Sequence, residues 1–114
     1  MEPKIIKQPI PKTELIVLAK EGFGDLVKVV VDIKQNIMAV GGELHADEEA
    51  VLLEQGSQQE NLWGINLYPE NPGEDWLEFD SMINIRPGQS NRSRGVDNPQ
   101  IREKIIELVG RLVH

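Results

Sequence analysis

Apolar positions along the chain recur with two different periods, and the switches between them mark the elements. Behind Thr13, a residue type that caps helices, Leu15, Ile16, Leu18 and Ala19 follow at helical spacing, and Gly22 supplies a stop. From Gly24-Asp25 onward the period shortens to two. Val27, Val29, Val31 and Ile33 alternate with Leu26, Lys28, Val30 and Asp32, and the β-branched content favours a strand. Lys34-Gln35-Asn36 predicts a three-residue hairpin loop, because Asn tolerates the left-handed conformation such a loop needs last. The return strand is expected over Ile37 to Leu44, with Gly41-Gly42 inside it marking a bulge or the close approach of another backbone. Asp47 then reads as the cap of a helix over Glu48 to Gln55. Glu48 and Glu49 lie in its first turn, and Ala50, Val51, Leu52 and Leu53 form its buried stripe.

A second hairpin is expected from Asn61–Tyr68 and Asp75–Arg86, joined by the turn-rich segment Pro69-Glu70-Asn71-Pro72-Gly73-Glu74. Over its second strand Leu77, Phe79, Ile83 and Ile85 share one face, and Glu78, Asp80, Met82, Asn84 and Arg86 the other. Pairing Ile65 with Phe79 and Leu67 with Leu77 sets apolar on apolar. It also places Asn66 opposite Glu78 and Gly64 opposite Asp80. After a long loop, Pro87 to Asp97, Asn98 caps the last helix with Pro99 at its first position. Ile101, Ile105, Leu108, Val109 and Leu112 give that helix its stripe, and Lys4 to Lys7 allows a short edge strand at the other end of the chain. The expected architecture is one α+β domain over residues 1–114. It has a four-stranded, largely antiparallel sheet with helices on one face, in the order α-ββα-ββα.

Charge changes this picture in one respect. Residues 1–34 carry +1, residues 35–80 carry -11 with no Lys or Arg, and residues 81–114 carry +3, which sums to the net -7 of the 114-residue chain. That acidity argues against non-specific nucleic-acid binding, while the basic C-terminal stretch keeps a narrower anion site open. The absence of cysteine excludes disulfides, thiolate metal sites and a cysteine nucleophile. No apolar run reaches the roughly 20 residues of a membrane span, and the N-terminus is too polar for a signal peptide. The expectation is a cytoplasmic protein without membrane contact.

Three constellations could carry chemistry. The first is the polar strand face, where Glu78, Asp80, Asn84 and Arg86 converge with Asn66. Such a face equally serves to wet an open antiparallel sheet. The second is the loop from Arg86 to Gly95, where Arg86, Arg92 and Arg94 could fork onto a carboxylate or phosphate, with Ser90, Asn91 and Ser93 as neutral donors. The same arginines could instead pin the loop to the acidic segment. The third is Glu43 and His45, which would share a strand face; a metal there is conceivable, but no second internal histidine supports it. Trp63 reads as core, and Tyr68 with Trp76 as a cross-strand pair on the polar face.

The strings GGELHADEEAVLLEQGS, LWGINLYP, FDSMINIRP and NRSRGVDNPQIREKI together resemble a small prokaryotic family known only as a domain of unknown function. The resemblance runs from about Gly24 to Leu112 and implies a self-contained domain; it supplies no activity, cofactor or substrate and leaves the function open. Two functional expectations stand beside it. One is a binding module holding a small anionic ligand or an acidic partner segment through Arg86, Arg92 and Arg94. The other is an enzyme acting on a phosphorylated or carboxylated metabolite, with Asp80 or Glu78 as base and His45 as acid or metal ligand. That second expectation requires His45 and Asp80 to lie together. A subunit that pairs with further copies through an edge strand is a third possibility.

Overall fold

The structure, a computed structural model, describes residues 2–114. Its elements are β1 (Lys4–Ile6), α1 (Lys12–Glu21), β2 (Val27–Asp32), β3 (Ile37–Val40), α2 (His45–Glu54), β4 (Leu62–Leu67), β5 (Leu77–Glu78) and α3 (Pro99–Leu112). The strands form one five-stranded sheet in the order β1-β3-β2-β4-β5. Every neighbouring pair is antiparallel. The sheet therefore has five strands rather than four, and the chain order gains a leading strand. The Lys4 segment pairs along β3, with Ile5 opposite Ala39. Both edge strands are very short, which leaves little unpaired backbone for another chain to join.

Consecutive apolar residues in the central strands decide the layering. Val29, Val30 and Val31, then Met38, Ala39 and Val40, are all fully buried, so both faces of the sheet must be covered. Val27, Val29, Val31, Met38, Trp63 and Ile65 pack against Leu15 and Ala19 of α1 and Ile105, Leu108 and Val109 of α3. On the opposite face Val30, Ile37, Ala39 and Leu62 pack against Leu52 and Val51 of α2 and against Ile83. Helices thus flank both faces, not one. The unbroken valines rule out the expected sheet with one wet face.

The helix ends agree with expectation where a side chain performs the capping. Asn98 Oδ1 accepts the Gln100 N–H at 2.8 Å, with Pro99 at the first position of α3. Thr13 and Asp47 do not cap. Pro11 and Leu44 occupy those positions, so α2 starts three residues early and has no side-chain cap. The β2–β3 loop spans four residues, Ile33 to Asn36, because Asp32 pairs with Ile37. Asn36 is left-handed there (φ 58°). β3 ends at Val40, before the glycine pair, and the neighbour that crowds Gly42 is the Glu48 side chain, not another backbone.

The largest departure is the segment after Glu78. Of the expected strand Asp75–Arg86, only Leu77–Glu78 pairs, in the expected register: Asn66 opposite Glu78 and Leu67 opposite Leu77. The Ile65–Phe79 and Gly64–Asp80 pairs do not form. Beyond Asp80 the chain turns, with Ser81 Oγ accepting the Ile83 N–H at 3.2 Å and a 3-10 turn over Met82–Asn84. Leu77 and Phe79 pack toward α1 and α3, whereas Ile83 packs toward α2. The apolar positions from Leu77 to Ile83 therefore face opposite sides of the sheet, and their period of two is not that of a strand.

Side chains replace the missing strand along the outer edge of β4. Asn84, fully buried, accepts the Gly64 N–H at 2.8 Å and donates to the Gly64 carbonyl at 2.9 Å, as a paired peptide would. Arg86 donates to the Leu62 carbonyl two residues along. A buried edge with unpaired carbonyls would cost about 1–3 kcal/mol per group, and these two residues remove that penalty. Gly64 is required here: a Cβ would lie 2.5 Å from Ser81 Cβ.

Candidate functional site

On the α2 side of the sheet, one end is apolar and the other polar. Lys28 on β2 stands opposite Asn66 on β4, and Asn66 stands opposite Glu78 on β5, so the three form a row across neighbouring strands. Asn66 Nδ2 donates to Glu78 Oε1 at 2.9 Å, and the Tyr68 hydroxyl donates to the same oxygen at 3.1 Å. Burial, and then the Glu78 carboxylate, raise the Tyr68 phenol above its ordinary pKa. Asn66 is buried, yet among the described residues its Oδ1 has no hydrogen-bond partner.

The first residue of α2 closes over this row. His45 lies 2.8 Å through Nε2 from the Ile65 carbonyl, an acceptor, so the neutral ring carries its proton on Nε2. Burial holds the imidazole below its ordinary pKa. The Ile65 carbonyl, Asp80 and Asn66 oppose that shift, and the Lys28 charge adds to it. His45 and Asp80 thus lie within each other's electrostatic reach.

Beside His45 is a pocket of about 210 Å³, lined by Lys28, Leu44, His45, Met82, Ile83 and Arg94 among others. Arg94 Nε pairs with Asp80 Oδ1 at 2.6 Å, which leaves its two terminal nitrogens without a hydrogen bond among the described residues. The Lys28 ammonium lies 4.8 Å from the Phe23 ring centroid. It makes no ion pair; among the described residues only Lys4–Glu14 and Asp80–Arg94 do.

The arginine loop is built for its own shape. Arg86 donates to the carbonyls of Ile83, Gln59 and Leu62 and to Gln89 Oε1, and its guanidinium stacks 4.3 Å from the Trp63 ring centroid. Burial opposes its charge. With its fork consumed by backbone, Arg86 is a structural clamp rather than a ligand clamp. Asn91 is buried at the loop's centre, donating to the carbonyls of Asn84, Ser93 and Gly95 and accepting the Asp97 N–H at 2.7 Å. Ser93 donates to Asp97 Oδ1 at 2.6 Å, a bond that holds the Asp97 carboxyl below its usual pKa. Ser90 is exposed and left-handed at the turn, and Arg92 is exposed, bonding only through its backbone N–H to Asp97.

Residues from all three expected groups therefore meet: His45 and Arg94 line one pocket, Asp80 pairs with Arg94, and Asn66 and Glu78 form the neighbouring row. Asn84, Arg86 and Asn91 instead complete the β4 edge and its loop. Trp63 is core as expected, and the Tyr68 N–H donates to the Trp76 carbonyl at 2.7 Å across the hairpin, but the Trp76 ring packs on the α1–α3 side, with the Lys12 ammonium 4.3 Å from its centroid. Glu43 is exposed and does not join His45, and among the described residues no three His, Asp or Glu side chains cluster as metal ligands. Sequence reasoning missed Lys28, Ser81 and Glu48. Lys28 had a signal, the one charge inside Val27–Val31. Glu48, read as a first-turn dipole partner, is fully buried; burial pushes its carboxyl up to about 9, and its Oε2 accepts the Gly42 N–H at 2.9 Å.

Fold and site together describe an α+β domain with a five-stranded antiparallel sheet between helices and a polar pocket at the start of α2. The chain belongs to the family described as protein of unknown function (DUF5674), whose model matches residues 4–112. No curated protein and no solved structure matches the chain. Among the described residues no helix is long and apolar enough to cross a membrane.

Proposed function

We propose that this domain is a binding module for a small anionic ligand seated between Lys28, the start of α2 and Arg94. The observation that carries the reading is the convergence of two cationic groups with spare donors on one pocket: the ion-pair-free Lys28 ammonium and the open terminal nitrogens of Arg94. Both point charge and fork suit carboxylate or phosphate oxygens. The uncapped first turn of α2 adds the positive end of its dipole on the same side. Arg94 serves this site, whereas Arg86 and Arg92 are not part of it.

The test is an amide-shift titration of the isotope-labelled chain with sodium acetate and, separately, inorganic phosphate. Shifts confined to Leu44–Ala46, Ser81–Ile83 and Arg94, and lost in Lys28→Gln, are expected from at least one anion. Absence of such shifts with both anions, or their persistence in Lys28→Gln, would overturn the reading.

One observation favours a catalytic role, the field of Asp80 at His45. Against it, His45 Nε2 is committed to the Ile65 carbonyl and Asp80 Oδ1 to Arg94, and among the described residues no hydrogen bond joins the two side chains, so they do not form a coupled acid–base pair. Binding is the better reading of this geometry.

A further inference from the structure

Resting on that reading, we infer that the ligand is a small amphipathic monoanion, a short-chain carboxylate whose alkyl part lies between Leu44 and Met82. Charge decides the head group. Lys28 and Arg94 bring two positive charges to the pocket, and Asp80, paired to Arg94, cancels one. The surplus is at most a single charge, since Glu78 at the far end of the row is also negative, and it falls short of what a dianion needs. A monoanion balances that surplus. A phosphate dianion would leave uncompensated negative charge beside Asp80, a repulsion that a small pocket screens poorly.

The walls decide the rest of the molecule. Leu44 and Met82 are among the most exposed large apolar residues of the domain, at 55% and 64%, and they stand on two different elements at this one pocket. Ala46 and Ile83 continue the same lining. A ligand that was polar throughout would leave these side chains wet, whereas an alkyl chain covers both. The volume, about 210 Å³, is roughly seven times the ~30 Å³ share of one water in the liquid, which limits the chain to a few carbons. A carboxylate at Lys28 and Arg94 with its chain running out between Leu44 and Met82 satisfies charge, walls and size together.

Calorimetric titration of the full chain with acetate, butyrate, hexanoate, hexanamide and inorganic phosphate tests this. Each methylene buried from acetate to hexanoate is expected to tighten Kd by roughly fourfold. Hexanamide, which has the chain without the charge, is expected not to bind, and phosphate to bind more weakly than hexanoate. Leu44→Ser is expected to flatten the chain-length series, so that hexanoate gains little over acetate. Phosphate binding more tightly than every carboxylate, or a flat series in the native chain, would overturn the inference and leave the anion site standing. Heat from none of the anions, or binding unchanged in Lys28→Gln, would overturn the anion site as well.

Discussion

Glu48 offers the sharpest thermodynamic test of the interior. Its side chain is fully buried, one oxygen accepts the Gly42 N–H, and among the described residues the other has no partner. Burial lifts its carboxyl from 4.5 to about 9, so the folded domain holds it protonated at neutral pH. The unfolded chain releases that proton near pH 4.5, and folding must take it back. A raised carboxyl pKa gives stability that is complete below the unfolded value and is lost as pH rises toward the folded one. The slope is about 1.4 kcal/mol per pH unit across that window, or about 3 kcal/mol by pH 7. Glu48→Gln keeps the shape and an acceptor for Gly42 but cannot titrate. Its amide brings a second N–H with no partner, at a cost of about 1–3 kcal/mol. Urea unfolding from pH 5 to pH 8.5 is therefore expected to find the variant weaker than the native chain at the acid end and stronger at the alkaline end. The two stability curves should cross near about pH 6. Parallel curves would refute the reasoning, because they would mean that no proton is taken up at this position on folding.

Other consequences follow from single residues. Asn84→Ala strips the partners from the Gly64 N–H and carbonyl and should cost about 2–5 kcal/mol, read as a melting temperature lower by about 10 °C or more. A shift of only a degree or two would show that the edge does not depend on that side chain. Gly64→Ala drives a methyl group into Ser81 and should cost about 1–3 kcal/mol, whereas Gly88→Ala, in open space, should be nearly silent in the same melting assay. His45, held below its ordinary 6.5 by burial, contributes stability above that value that is lost as pH falls below it. Imidazole resonances followed through a pH titration should give a midpoint under 6.5, and a midpoint above it would contradict the buried, neutral ring.

Legibility in the sequence followed the range of the interactions. The α3 start was readable because Asn98 and Pro99 act on their own helix, and the Asn66–Glu78 register was readable because a hairpin is local. The second covered face is written in the continuous apolar run Val29-Val30-Val31, which an alternating reading of β2 hides. The Asp80–Arg86 segment misled for a different reason. Ser81 and Asn84 bond to backbone groups of neighbouring and distant residues, and no periodicity encodes that. The candidate site was half visible. Its acids, His45 and Arg94 could be named, but Lys28 joins them only through the β2–β4 pairing, and Arg86 is withdrawn only by carbonyls up to 27 positions away.

A crystal structure of the full chain grown with 4-bromobutyrate would locate the ligand outright, because bromine is identified by its anomalous signal. The expected result is a bromine peak between Leu44 and Met82, with carboxylate density against Lys28 Nζ and the terminal nitrogens of Arg94. A peak elsewhere on the molecule, with this pocket holding solvent alone at saturating ligand, would contradict the assignment of the site.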